Sequence, residues 1–224
     1  GVSQSFTKKD LSGRSFDFDA AYMAPGHIPL MLIKEIISKL KRKKCFVAMN
    51  PSGFYLKMGV EKLRPILKNL DLIILNREEG AALTGRKYKD EKGIFRKFDE
   101  MVSGLAVMTD GPKGVMVSDG NKICRAGIYK EKKLVDRTGA GDAFGSGFVA
   151  GLLQNVKIKN KSEKLQFKVK NFREEDIIRG IKLGSANATS NVEEVGAQSG
   201  ILTKRQFKTQ ARWKNLPVKV YNMS

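Results

Sequence analysis

The sequence predicts an α/β layered sheet, and three observations carry that reading. Helix-like and strand-like periodicities alternate along most of the chain, and the strand-like runs are short and apolar. At 224 residues and 41% hydrophobic content the chain can also bury one real core, so we read 1–224 as a single domain.

In chain order, residues 1–16 are polar and weakly patterned and are expected to be irregular. The chain opens on Gly1, not methionine, so we expect it to begin inside a longer gene product. The spacing of Leu30, Ile33, Ile37 and Leu40 predicts a helix over 28–41, with Pro29 suited to its first turn. A short strand over 45–49 then stops at Asn50-Pro51. Residues 61–69 read as helix, 71–75 as a buried strand and 78–84 as a short helix closed by Gly85, which together make a βαβ unit. A helix over 92–101 leads to a strand over 105–109 that ends at Asp110-Gly111.

Beyond that point the texture changes. Residues 114–118 and 122–128 flank Asp119-Gly120-Asn121, a turn signal between two strands of a hairpin. One more short strand is expected over 133–135, followed by a glycine-rich turn and an apolar helix over 143–154. The lysine-rich stretch 157–170 reads as a basic surface insertion. A helix over 176–192 follows, whose Gly184, Ser185, Ala186 and Ala188 permit close backbone approach.

Composition narrows the function classes. Cys45 and Cys124 lack metal-ligand spacing and fall in apolar runs, as expected of reduced packing residues in a cytoplasmic protein. No apolar stretch reaches the roughly 18 residues of a membrane span, so no membrane partner is expected. The formal charge of +19 attracts polyanions and keeps a nucleic-acid-associated or merely nucleotide-binding role open. The basic run at 39–44 holds no aromatic and that at 157–170 only Phe167, which favours a solvated surface. His27, in Pro25-Gly26-His27, reads as a loop residue.

The chemistry concentrates at Gly139-Ala140-Gly141-Asp142. A strand that delivers a glycine-rich turn to a helix start makes an anion site, because free N–H groups and the helix dipole converge there. A carboxylate beside that anion is electrostatically awkward unless it has a task. Accepting a proton from an attacking hydroxyl during phosphoryl transfer is such a task. The competing reading of Asp142 is a helix cap. The dinucleotide fingerprint fails because Phe144 holds its third glycine position, and no Walker lysine follows.

The run DRTGAGDAFGSGF at 136–148 resembles the C-terminal signature of the ribokinase family, also called the PfkB family of carbohydrate kinases. Asn76-Arg77-Glu78-Glu79 resembles that family's N-x-x-E motif, and the run from Thr109 to Gly114 resembles its T-x-G-x-x-G nucleotide loop. Asn50-Pro51, Asn187 and Gly196-Ala197 fit its order, and the resemblance covers 48–201. It implies a ribokinase-like three-layer α/β/α sandwich with a mostly parallel central sheet, without the small lid that the family carries in its N-terminal part. It also implies ATP-dependent transfer of the γ-phosphoryl group to a sugar hydroxyl, with a nucleoside as the alternative acceptor.

By that resemblance Asp142 is the catalytic base, and Gly139, Ala140 and Gly141 form the anion hole. Thr109, Gly111, Gly114 and Asn187 would touch the nucleotide, with Asn76 and Glu79 beside the triphosphate. Glu79 would reach Mg²⁺ through water, its plainer reading being an exposed first-turn residue, and Asn187 would otherwise be ordinary helix packing. Asp136 and Thr138 would flank a monovalent cation such as K⁺, although Arg137 stands where many members carry threonine. A homodimeric assembly is left open.

Overall fold

The structure, a computed structural model, describes residues 5–155 and 172–223. The expected insertion at 157–170 and the first four residues of the irregular start lie outside the described residues. Seven strands form one sheet in sequential order: β1 (Ala20–Met23), β2 (Phe46–Met49), β3 (Leu72–Asn76), β4 (Leu105–Thr109), β5 (Val115–Ser118), β6 (Lys122–Ala126) and β7 (Val218–Asn222). β1 to β4 pair in parallel and β4 to β7 antiparallel, so the sheet is mixed. The mostly parallel sheet expected above holds for its first four strands. The hairpin around Gly120, which has φ 90°, extends the sheet the other way.

Alternation along the strands separates two cores. Val47, Met49, Ile73, Leu75, Ala106 and Met108 face one side, against α1 (Leu30–Arg42), α3 (Val60–Leu67), α4 (Arg77–Thr84) and α5 (Glu91–Met101). Phe46, Ala48, Leu72, Ile74, Leu105 and Val107 face the other side, against α6 (Ala140–Leu153) and α7 (Glu174–Asn191). The result is the α/β/α sandwich. Two short helices, α2 (Gly53–Leu56) and α8 (Lys204–Thr209), complete the α-helices among the described residues.

The close packing expected of small residues in α7 is present. A Cβ at Gly151 of α6 would lie 2.7 Å from the Arg179 carbonyl oxygen, and one at Gly184 of α7 would lie 2.9 Å from that of Phe144. Glycine at both contacts lets the helix backbones touch, which fixes where α6 begins. Neither cysteine is in a disulfide and both are buried, and burial pushes the Cys124 thiol up to about 11. Among the described residues, no helix is long and apolar enough to cross a membrane.

Two expectations change. Residues 133–135 form no strand, because the Val135 N–H bonds the Val192 carbonyl at the end of α7 and no strand edge is beside it. Strands β1 and β7 went unread. β1 is only four residues long and shows no clear apolar and polar alternation, whereas β7 carried a legible alternation, with Val218 and Val220 facing the core.

One buried carboxyl affects stability. Asp99 on α5 accepts from Ser118 Oγ at 3.4 Å, while its Oδ2 is buried without a partner. Burial, above all, pushes Asp99 up to about 6. A carboxyl with a raised folded pKa is fully tolerated below its unfolded value and destabilises as pH rises through the folded one. Asp99→Asn should therefore raise the unfolding free energy measured in urea at pH 8, by about 1 kcal/mol after allowance for partial solvation. That advantage should disappear near pH 4.

Candidate active site

The turn before α6 is built on Gly139, which is in the left-handed region at φ 79° and serves as the N-cap. A Cβ there would sit 2.6 Å from Ala197 Cα, so the turn and the 196–197 segment touch through a glycine. The Ala143 N–H closes the first helical turn on the Gly139 carbonyl at 2.8 Å, and the Ala140 N–H reaches back to the Arg137 carbonyl at 3.3 Å. The N–H groups of Gly139, Gly141 and Asp142 have no partner among the described residues. That makes the turn an anion cradle, with three free donors at the positive end of a 14-residue helix.

Asp142 is the third residue of α6, and its side chain makes no capping bond. Its carboxylate is exposed and has no hydrogen bond to any described residue, so the helix-cap reading does not hold. An uncommitted carboxylate beside free amides is the arrangement that a proton-accepting role requires.

Ala140 and Gly141 open onto a cleft of about 240 Å³, whose walls also include Thr109, Gly111, Gly114 and Ser185. Ile128, Leu134, Phe144 and Val192 supply apolar surface suited to a flat base, and Arg137 adds a positive charge. Asn187 is not among its walls. It lies two positions beyond Ser185, about 200° around the helix. It is buried on the far side, where its Oδ1 accepts from the Leu202 N–H at 3.2 Å.

Asn76 ends β3 and is the register partner of Thr109 at the end of β4, so both stand at the carboxyl edge of the parallel strands where α/β sheets bind ligands. Asn76 and Glu79 form a reciprocal capping box: the Glu79 N–H donates to Asn76 Oδ1 at 2.8 Å, and the Asn76 N–H donates to Glu79 Oε2 at 2.9 Å. Asn76 Nδ2 and Glu79 Oε1 remain uncommitted. Burial first of all pushes the Glu79 carboxyl up, against the lowering effect of the Asn76 N–H. No group of three or more metal-ligating side chains occurs among the described residues. A Mg²⁺ held through water by one carboxylate and otherwise by phosphates fits this donor set.

Asp136 ties two loops together, with Oδ1 accepting from the Thr138 N–H at 2.9 Å and Oδ2 from the Gly196 N–H at 3.0 Å. Hydrogen bonds from Thr138 and then Gly196 hold its carboxyl below the usual range. Asn191 Nδ2 donates to the Gly196 carbonyl at 3.1 Å. Asp136, Thr138 and the 194–196 segment, far apart in sequence, are therefore together.

A charged network missed in the sequence braces the 109–114 loop. Arg77, the first residue of α4, is buried and bonds Asp110 Oδ2 at 3.0 Å, Glu91 at 2.8 Å and the Tyr88 carbonyl at 2.8 Å. The Tyr88 hydroxyl donates to Asp110 Oδ1 at 2.5 Å, and the Arg77 guanidinium lies 4.5 Å from the Tyr88 ring centre. Burial alone pushes the Asp110 carboxyl up, but the Tyr88 and Arg77 hydrogen bonds and the Lys113 and Arg77 charges outweigh it and hold it below the usual range.

Arg77→Met leaves that carboxylate only the Tyr88 hydroxyl and the more distant Lys113, and should lower stability at pH 7 by about 3 kcal/mol. A depressed carboxyl pKa stabilises above its unfolded value, so the difference between wild type and variant should shrink as pH falls below about 4. Thermal melts at pH 7 and pH 3 check this. The sequence signal was an arginine inside an otherwise acidic motif, with Asp110 just past the end of the next strand.

Comparison with known proteins agrees with this architecture. A family model described as pfkB family carbohydrate kinase matches residues 16–204. A cytidine kinase of Thermococcus kodakarensis is 32% identical over 67% of this chain and 54% of its own length. A ribokinase of Haemophilus influenzae is 32% identical over 63% of the chain and 40% of its own length. Among solved structures, a ribokinase from Thermotoga maritima superposes with TM-score 0.63 at 25% identity, covering 88% of this chain and 57% of the other. The chain thus spans about half the length of the curated relatives it matches. With the match over 16–204 and the strand-edge site in place, this chain belongs to the pfkB family of carbohydrate kinases.

Proposed function

We propose that this chain transfers the γ-phosphoryl group of ATP to a hydroxyl of a sugar, with Asp142 as the general base. The observation that carries this reading is the Asp142 carboxylate, exposed and uncommitted, beside the free N–H groups of Gly139 and Gly141. The cleft walled by Thr109, Gly111 and Gly114 would take the nucleotide, its apolar side holding the base. The cradle would bind the transferring group as charge builds on its oxygens. Asp142 would take the acceptor's proton as that hydroxyl attacks. Mg²⁺ would neutralise phosphate charge, with Asn76 and Glu79 nearby to hold its water shell. Asn187 has no place in this reading, and Ser185 takes its position at the cleft. A nucleoside acceptor is the second reading, favoured by the likeness to a cytidine kinase.

The test is an acceptor screen with ATP and Mg²⁺, reading ADP release across a panel of sugars and nucleosides. Release that depends on a sugar supports the first reading, and release only with nucleosides moves the assignment to the second. Release with neither would remove transfer by this chain. Running the screen in K⁺ and in tetramethylammonium tests the proposed cation site at Asp136 and Thr138. Equal rates would remove it.

A further inference from the structure

Tyr22, on the edge strand β1, turns its side chain toward the α6 and α7 layer. Its hydroxyl is buried and has no hydrogen-bond partner. Gly145 makes room for it, since a Cβ at that position would lie 2.1 Å from the hydroxyl oxygen. Gly145 follows Asp142 by three residues on α6, and residues so spaced share a helix face with Cβ positions about 5–6 Å apart. The Tyr22 hydroxyl therefore ends within side-chain reach of the Asp142 carboxylate. Asn50, just beyond β2, stands close to the phenol and is neutral, but it forms no hydrogen bond of normal geometry with it. A donor without an acceptor thus faces an acceptor without a donor.

We infer that Tyr22 is a positioning residue for Asp142, donating its O–H to the carboxylate and fixing the rotamer from which the carboxylate meets the acceptor hydroxyl. The inference rests on the reading of Asp142 as the base. Burial, followed by the Asp142 charge, pushes the Tyr22 phenol upward in pKa, so it keeps the proton it donates throughout the working range. The hydrogen bond holds one carboxylate oxygen and leaves the other for the incoming proton.

Urea unfolding of wild type, Tyr22→Phe, Asp142→Ala and the double variant tests the pairing without requiring turnover. Removing the hydroxyl should lower the midpoint in the wild-type background, where a bond is lost. It should raise the midpoint in the Asp142→Ala background, where an orphaned polar group is removed. An effect of the same sign and size in both backgrounds overturns the proposal. A lowering in both would assign the phenol to Asn50, and a rise in both would leave it unpaired.

Turnover with D-ribose or cytidine adds a second readout. Tyr22→Phe should reduce kcat about tenfold with KM for ATP unchanged, because the base is misaligned while the nucleotide site is untouched. A wild-type kcat in Tyr22→Phe overturns the positioning role. Wild-type turnover in Asp142→Ala would instead remove Asp142 as the base, an outcome distinct from a failed pairing, which the unfolding cycle alone reports.

Discussion

Asp142→Asn is expected to reduce phosphoryl transfer about a thousandfold while ATP affinity stays close to that of wild type. The substitution keeps the size and polarity of the side chain and removes only its basicity. Because Asp142 is exposed and makes no bond that holds the helix, its replacement should not disturb the fold. Removing a negative charge beside the triphosphate should leave nucleotide binding equal or slightly tighter. The measurement is kcat by coupled ADP release, alongside ATP affinity by calorimetry. Transfer within tenfold of wild type would take Asp142 out of its role.

Gly139→Val should be the most damaging change at the turn itself. Gly139 has φ 79°, which a β-branched residue enters only at a cost of about 1–3 kcal/mol. Its Cβ would also lie 2.6 Å from both Cα and Cβ of Ala197, and backbone there cannot swing away as a flexible side chain could. The turn must move, and a displacement of about 1 Å in a reacting geometry costs on the order of a hundredfold in rate. We expect that loss together with a lower melting temperature. Gly141→Ala is the contrast: its Cβ meets nothing within 4 Å and its φ is ordinary, so it should fold as wild type. It should weaken ATP binding only by placing a methyl group where phosphate approaches.

Much of this was legible from local pattern. The helix over 30–42, the strand over 105–109 and the hairpin about Gly120 follow from periodicity and turn chemistry, which are properties of neighbouring residues. The Gly139 to Asp142 turn was legible because closely spaced glycines followed by an apolar helical run are themselves a local signature. That Asn187 stands off the cleft wall was not legible, because a motif position does not say which helix face meets the cleft, and a two-residue offset reverses the face. The strand expected at 133–135 failed because an extended run becomes a strand only beside a partner, and the Val135 N–H met the carbonyl of Val192 at the end of α7 instead.

From sequence alone come the α/β class, the glycine turn and the identity of its carboxylate, since each depends on spacing within a few residues. Only the tertiary structure decided that Asp142 is free of capping duty, that Arg77 braces Asp110 across 33 positions of chain, and that Tyr22 reaches α6 from an edge strand. Those outcomes depend on which groups desolvate one another when distant elements pack, and no local pattern encodes that.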